Sequence, residues 1–274
     1  MKSQEYQKFA SKPNYVYLFA RLKQEARQIA YNIFTSSQKS LFKPIMFEQP
    51  FGAKCKDLKG IPLHTDVGLY NVRGKVDRVD AYKDRIRIID YKSGEIKSTP
   101  TQFYVGKKLQ LYLYMNAFLS SGYKPAGAYY SPINIAFTSS ETKDALLQGK
   151  TVDIDEIINA TDTKASQEKY SDIINVYKKD GSLNKSSALL SESEFYDYLD
   201  YSKLIAVNAI NEISSGFIQP TPYDDSCKYC KFNGMCDFCV NEDGKVRKID
   251  SINKETIINA VKNSNDTKNK KEQD

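Results

Sequence analysis

Near the start of the chain, hydrophobic residues recur with the period of a helix. Over residues 14–34, apolar side chains such as Leu18 recur at steps of three and four residues after Pro13, which predicts a helix. The spacing of Leu, Met and Phe predicts a second helix over residues 102–119, which Gly122 ends as a left-handed cap. We expect these two helices to flank a sheet.

Strands are predicted where the period shortens to two. Residues 68–79 and 85–91 have this pattern, and in the second run isoleucines alternate with arginines. The intervening sequence DAYKD is short enough for a hairpin turn. Residues 126–130 and 133–137 are shorter strand candidates.

The remaining segments are more polar. Residues 148–188 have only a weak pattern, which predicts turns and irregular structure. The sequence SESE at residues 191–194 is a capping box, which predicts a helix that runs to about residue 214 and stops at Gly216. From about Glu242 the chain is rich in Lys, Asn and Asp, so disorder is favoured over a brief helix.

Composition narrows the class of protein. Of the 274 residues, 41% are hydrophobic and 27% are charged, which is typical of a packed soluble domain. No apolar run approaches the ~20 residues that span a bilayer, and the N-terminus has no signal-peptide core, so we expect a cytoplasmic protein with no membrane contact. The 40 Lys and Arg against 34 Asp and Glu give a charge of +6, which suits a polyanionic partner without requiring one.

Two acids and a lysine stand at the ends of the two hairpin strands. Asp90 and Lys92 are two residues apart, so both project from one face of the sheet, and Asp77 can reach the same point from the neighbouring strand. Carboxylates that hold a divalent cation allow it to activate water and to neutralise charge on a phosphoryl group, and a lysine meets phosphate as a point charge. The pattern fits cleavage of a phosphodiester, although Asp-x-Lys pairs are also common on protein surfaces without any catalytic role.

Four of the five cysteines are crowded together at Cys227, Cys230, Cys236 and Cys239. The fifth, Cys55, lies in a predicted loop with the one histidine, His64. Disulfides are rare in the cytosol, so the crowding indicates a metal or cluster site. Zinc is one candidate, although the x5 spacing is short for a zinc ribbon, and an iron–sulfur cluster is the other.

These motifs, and the order in which they occur, resemble those of a known nuclease family. A Gly-Lys-Val-Asp sequence ends at Asp77, and an Ile-Asp-Tyr-Lys sequence contains Asp90 and Lys92. The following helix carries Gln110 and Tyr114 four residues apart, on one face. Together they resemble the PD-(D/E)xK nuclease superfamily in its RecB-like branch. The resemblance implies a restriction-endonuclease-like α/β core.

The resemblance also implies roles for the matching residues. Asp77 and Asp90 match acids that bind Mg²⁺ or Mn²⁺, and Lys92 matches the catalytic lysine. Gln110 and Tyr114 match a helix motif that contacts DNA or supports the site.

Three further residues are candidates for supporting roles. Lys107 and Lys108 stand beside the helix motif and are predicted to contact DNA electrostatically. Glu48 lies in a Glu-x-x-Phe-Gly segment of the family, where a role near the site and a purely structural role are both open. The family takes an active-site histidine from a helix upstream of the matched region, and His64 does not match it.

The sequence CKYCKFNGMC resembles the iron–sulfur segment that ends the nuclease domain in the B-type component of AddAB-type helicase–nucleases. It implies that Cys227, Cys230 and Cys236 are three ligands of a [4Fe–4S] cluster. The family's fourth cysteine comes from upstream. Here Cys239 is the preferred fourth ligand because it is near in sequence, Cys55 is the alternative, and Zn²⁺ is the competing metal.

These observations predict an α/β nuclease domain over residues 1–241, with a central mixed sheet flanked by helices. A cysteine-stapled segment at residues 217–239 and a polar tail at residues 242–274 complete the expected organisation. The resemblance implies a Mg²⁺-dependent deoxyribonuclease, expected to be a single-strand exonuclease in double-strand-break repair and recombination. Its expected partners are DNA and the A-type subunit of a helicase–nuclease.

The chain lacks a G-x-x-x-x-G-K-[ST] phosphate loop, so it is not expected to be the motor of such a complex. It is expected to be either a piece of a longer B-type subunit or a short standalone relative. The alternative function is a nuclease-like domain that only binds DNA or scaffolds a helicase partner.

Overall fold

Helices and strands alternate along most of the chain in the computed structural model. It describes residues 13–52, 55, 58–94, 96, 98–133, 147–186, 188–223, 226–232, 234–236, 238 and 246–271. The helices are α1 (Pro13–Lys39), α2 (Pro100–Tyr104), α3 (Gln110–Leu119), α4 (Asp155–Thr161), α5 (Ala165–Glu168), α6 (Glu192–Ser214) and α7 (Lys254–Lys271). The strands are β1 (Lys43–Phe51), β2 (Ile61–Thr65), β3 (Gly68–Val72), β4 (Gly74–Tyr82), β5 (Arg85–Lys92), β6 (Lys124–Pro132), β7 (Gln148–Val152) and β8 (Leu189–Leu190), and a 3₁₀ turn covers Ser226–Tyr229.

Six of the strands form a mixed sheet in the order β1-β4-β5-β6-β7-β8. β4 is antiparallel to both β1 and β5, whereas β6 lies parallel to β5. A parallel neighbour requires a crossover connection, which α2 and α3 supply between β5 and β6. β2 and β3 form a separate hairpin. The predicted α/β architecture, a central mixed sheet flanked by helices, is confirmed.

The two faces of the sheet bury separate cores. On the front face, Ile86 and Ile88 of β5 pack with Met115 of α3 and with residues of α6 and α7. On the back face, Ile89 packs with Tyr129 and with residues of α4 and α5. β5 is therefore covered on both sides, which explains its almost continuous burial.

Several elements have other bounds than the sequence predicts. The strand predicted over residues 68–79 is two strands, because β3 pairs with β2 while β4 enters the main sheet. The helix predicted over residues 102–119 is likewise divided into two helices, α2 and α3. Gly106 lies between them with a φ of +84°, and this left-handed backbone conformation ends a helix. His64 lies in β2, not in a loop.

Two segments are more ordered than predicted. Residues 148–188 contain β7, α4 and α5, not only turns. The tail prediction is wrong for residues 254–271, which form α7 and bury Ile257 and Val261 in the front-face core. Ile133 is the only residue of the predicted strand at 133–137 within the described residues.

The helix that follows the SESE sequence has the predicted start and end. Ser191 Oγ accepts a hydrogen bond from the Glu194 backbone N–H at 3.2 Å, and a Glu194 carboxylate oxygen accepts one from the Ser191 N–H at 2.8 Å. The helix ends before Gly216, whose φ is +81°. Within the described part of the chain, no helix is long and apolar enough to cross a membrane.

Candidate active site

Two aspartates lie close together at one end of the β4–β5 pairing. The paired stretch ends with Arg78 opposite Ile89, and Asp77 and Asp90 are the next residues of the two strands. The charge of Asp77 acts on the Asp90 carboxyl, so the two side chains are near neighbours. The backbone N–H of Tyr91 donates to Asp77 Oδ2 at 3.0 Å and orients that carboxylate.

Lys92 and Gln110 contact the second aspartate. Lys92 Nζ lies 2.6 Å from Asp90 Oδ2, and Gln110 Nε2, at the start of α3, donates to Asp90 Oδ1 at 3.2 Å. The Lys92 ammonium and the Gln110 amide thus each hold one oxygen of the Asp90 carboxylate.

The acid pair is electrostatically suited to a divalent cation. Burial raises the pKa of the Asp90 carboxyl and the charge of Asp77 raises it further, while Lys92 and Lys108 oppose these effects. A bound cation would offset the repulsion between the carboxylates, and Mg²⁺ needs only one or two of them because it keeps several waters. No third His, Cys, Asp or Glu joins them to complete a protein-only metal site among the described residues. The residues fit a magnesium-type ion.

Tyr130 is a member of the site that the sequence pattern does not single out. It lies on β6 directly beside Asp90 and is buried. The Lys92 and Lys108 ammonium groups lie 5.6 and 5.5 Å from its ring centroid, within cation–π range. Burial, with a further contribution from Asp90, raises the pKa of the Tyr130 hydroxyl. The ring is thus a neutral platform for two cations, which an aromatic in the apolar sequence AGAYY does not reveal.

Tyr114 supports the site from the side. Its ring packs edge-on against Phe51 with centroids 4.9 Å apart. Gly74 makes this possible, because a Cβ at that position would lie 2.7 Å from the Tyr114 ring and 2.8 Å from the Phe51 ring. Tyr114 thereby holds α3 against the start of β4, while Gln110, one turn earlier, contacts Asp90.

Glu48 and Lys107, two further residues predicted for the site, contact residues other than Asp77 and Asp90. Glu48, on β1, is exposed and forms an ion pair with Lys75 of β4. Its φ of +49° is a left-handed conformation that is strained for a residue other than glycine. The Lys107 ammonium lies 4.7 Å from the ring centroid of Tyr223, which is part of the cysteine segment at residues 217–239. That segment therefore borders the loop in which Lys107 and Lys108 lie.

The described cysteines do not converge on one point. Cys227 lies in the 3₁₀ turn, while Cys230 and Cys236 follow it and are exposed. Cys55 Sγ contacts the Pro50 carbonyl oxygen at 3.2 Å. The four are free thiols, and within the described ranges no three metal-ligating side chains are grouped to hold an ion. Cys239 lies outside the described residues.

Comparison with known proteins agrees with this geometry. Residues 2–237 match the sequence profile of the PD-(D/E)XK nuclease superfamily. The chain is similar to the B-type component of the ATP-dependent helicase/deoxyribonuclease of Clostridium kluyveri, with 32% identity over 92% of the chain, and to that of Clostridioides difficile, with 29% identity over 92%. Each match covers 24% of the relative, so the chain spans about a quarter of the length of these relatives.

Proposed function

The chain belongs to the PD-(D/E)XK nuclease superfamily, and on that premise we propose that it is the divalent-metal-dependent deoxyribonuclease module of a helicase–nuclease. The observation that carries this proposal is that Asp77, Asp90 and Lys92 lie close together on the front face. Gln110 also contacts the Asp90 carboxylate. We further propose that the module prefers single-stranded DNA, that it acts as an exonuclease, and that it functions in double-strand-break repair and recombination.

Each residue of the site has a separate task in phosphodiester cleavage. Asp77 and Asp90 hold Mg²⁺ or Mn²⁺, which when bound lowers the pKa of water and offsets charge on the phosphoryl oxygens. The Tyr91 amide and Gln110 fix the two carboxylates, so little reorganisation is required on binding. Lys92 faces both Asp90 and the Tyr130 ring, and it meets the scissile phosphate as a positive charge.

The DNA-binding face is proposed to extend from the site along the loop before α3. Lys107 and Lys108 lie on this loop, Gln110 follows on α3, and Tyr114 supports the same helix. Binding through such lysines is electrostatic, so affinity falls steeply with salt because each neutralised phosphate releases counterions. Replacing both lysines by glutamate should weaken binding and reduce the salt slope by about two. An unchanged slope would place the DNA elsewhere.

The relatives are named as the B-type component of an ATP-dependent helicase/deoxyribonuclease. We therefore propose an A-type helicase–nuclease subunit as a protein partner, which delivers unwound strands to the site. Glu48, exposed on β1 and strained, is proposed as a supporting residue that organises the strand beside Asp77 through its ion pair with Lys75.

The decisive experiment is digestion of end-labelled single- and double-stranded DNA by the pure chain, with and without Mg²⁺. Wild type should cut single strands in Mg²⁺ only, and Asp90→Ala should not. Asp84→Ala is a matched control, because Asp84 lies in the turn of the same hairpin and pairs with Lys124 at the surface. If wild type binds DNA but no divalent metal supports cleavage, the chain is instead a DNA-binding or scaffolding domain.

The cysteine segment is proposed to hold a [4Fe–4S] cluster with a structural role. The Cys-x2-Cys-x5-Cys spacing of Cys227, Cys230 and Cys236 and their free thiols support this, with Cys239 as fourth ligand and Cys55 as alternative. Thiolates that ligate iron must be drawn together, so cluster assembly should order the segment beside Lys107.

The test is anaerobic purification followed by absorption spectroscopy and metal analysis. A cluster predicts brown protein whose visible absorption and thermal stability are both lost in Cys230→Ser. Comparison of Cys239→Ser with Cys55→Ser identifies the fourth ligand. Colourless protein with stoichiometric zinc would replace the cluster by a four-cysteine zinc site.

A further inference from the structure

Each aspartate of the proposed active site has a lysine two residues away on its own strand. On β5 this lysine is Lys92, and on β4 it is Lys75, which precedes Asp77. Two residues of an extended strand span roughly 7 Å, so the Lys75 side chain starts close to the acid. Glu48 raises the pKa of the Lys75 ammonium and the charge of Asp77 raises it further, so Asp77 acts on this lysine. The proposed nuclease function gives Lys92 a contact with the substrate and gives Lys75 none.

The stretch of β4 that carries Lys75 is fixed on both sides. Before it, Gly74 packs so closely that a Cβ there would lie 2.7 Å from the Tyr114 ring of α3. After it, the Asp77 carboxylate accepts a hydrogen bond from the Tyr91 backbone N–H at 3.0 Å. The backbone of Lys75 is therefore held in place relative to the site, and the lysine can change partners by moving its side chain alone.

The Lys75 ammonium pairs with the Glu48 carboxylate of the neighbouring strand β1. Both groups are open to solvent, since 56% of the Lys75 side chain and 62% of the Glu48 side chain are exposed. Exposed ion pairs add little to stability because water screens them, so the pair alone does not account for the left-handed φ of +49° at Glu48. Strained backbone is typically kept where it serves a site. Here it places a carboxylate on the lysine that precedes Asp77.

We propose that Lys75 binds a backbone phosphate next to the scissile one, and that Glu48 holds its ammonium until DNA takes the place of the carboxylate. The lysine then exchanges one oxygen anion for another and keeps a counter-charge throughout. With Lys92 at the scissile phosphate, Lys75 fixes the position of the DNA strand across the two acids. This inference rests on the proposed function and adds a substrate-positioning residue to it. Because Glu48 competes with DNA for the same ammonium, removal of its charge should strengthen binding.

Binding of a fluorescently labelled single strand of DNA by the whole chain in EDTA tests the proposal, because no metal is then present to support cleavage. Lys75→Met should weaken binding about fivefold at about 0.1 M salt and lower the salt slope by about 0.7, the contribution of one phosphate contact on a single strand. Glu48→Gln should strengthen binding by up to a similar factor. The double variant should bind like Lys75→Met, since Glu48 acts through that lysine.

Lys83→Met and Glu156→Gln are matched controls, because Lys83, in the turn after β4, forms an exposed ion pair with Glu156 of α4. Both should bind like wild type. The gain expected in Glu48→Gln keeps the test independent of whether Lys75→Met folds, because misfolding does not strengthen binding.

Two results would overturn the inference and leave the nuclease assignment intact. One is a loss in Lys75→Met no larger than that in Lys83→Met, and the other is weaker binding by Glu48→Gln. A wild-type chain that binds no DNA would overturn the proposed function and this inference with it.

Discussion

The β4–β5 hairpin carries like charges on both of its faces, and the two faces differ in how those charges are balanced. On the front, Asp77 and Asp90 stand side by side next to Lys92, whose side chain is 35% exposed. On the back, Arg78 and Arg87 share Asp80 and are closed off from solvent. The front cluster thus combines two acids with Lys92 and, farther away, Lys108, whereas the back cluster has one buried acid for two buried arginines.

The difference shows what each cluster can do. The front cluster is reachable by solvent, so a cation and a phosphate can exchange there, as catalysis requires. The back cluster is buried within the protein, so its ion pairs contribute to stability and not to exchange with solvent. Substitutions on the front should therefore change rates, and substitutions on the back should change the free energy of unfolding.

The largest effect is expected on the front. Asp77→Asn, Asp90→Asn and Lys92→Met should each lower the rate of DNA cleavage at least ~10³-fold, because the three act on one metal and one phosphate. For the same reason the double variant of Asp77 and Asp90 should be little worse than either single variant. Single-turnover cleavage in Mg²⁺ measures this, and additive losses would mean that the two acids act separately.

On the back face, two substitutions that break the same contact should have very different effects on stability. Asp80→Asn leaves two guanidiniums without a carboxylate and should cost about 3–5 kcal/mol of unfolding free energy. Arg87→Met leaves Arg78 and Asp80 as a balanced pair and should stay within about 1 kcal/mol of wild type. Denaturant unfolding gives both values, and similar losses would contradict the charge argument.

The front cluster could be predicted from sequence because its determinants are local. Asp90 and Lys92 share a face through the two-residue period of a strand, and a short hairpin turn brings Asp77 of β4 close to them. The capping box at Ser191 is equally local. The Tyr130 platform was not predictable in this way, because it depends on β6 returning parallel to β5 after a crossover.

The back cluster was missed for a physical reason. Alternation of Arg85 and Arg87 with isoleucines indicates a polar outer face, yet Arg87 is buried because distant segments cover that face. The tail was misjudged in the same way. Its composition is polar, but Ile257 and Val261 lie one turn apart, which suffices to attach α7 once α6 is present. Burial created by long-range packing leaves no local signal.

A smaller effect on rate should distinguish the Tyr130 ring from its hydroxyl. Tyr130→Leu removes the surface that Lys92 and Lys108 face and should lower cleavage about tenfold, the scale of a partly buried cation–π contact. Tyr130→Phe retains the ring and should retain most activity. The measurement is kcat against KM for DNA cleavage, with melting curves to show that both variants fold. Equal losses in the two variants would assign the role to the hydroxyl.

The smallest effect concerns the stability of the metal-free front face. Because burial raises the pKa of the Asp90 carboxyl, the folded chain holds this proton more tightly than the unfolded chain does. The free energy of unfolding therefore falls as pH rises from the unfolded to the folded pKa, and the penalty persists at neutral pH. Asp90→Asn should remove it and raise the melting temperature of the metal-free protein at pH 7, by an amount on the order of 1–3 °C. Added Mg²⁺ should stabilise wild type but not the variant, since the cation needs the carboxylate. A melting temperature that drops in Asp90→Asn without metal would show that the contact with Lys92 outweighs the cost of burying Asp90.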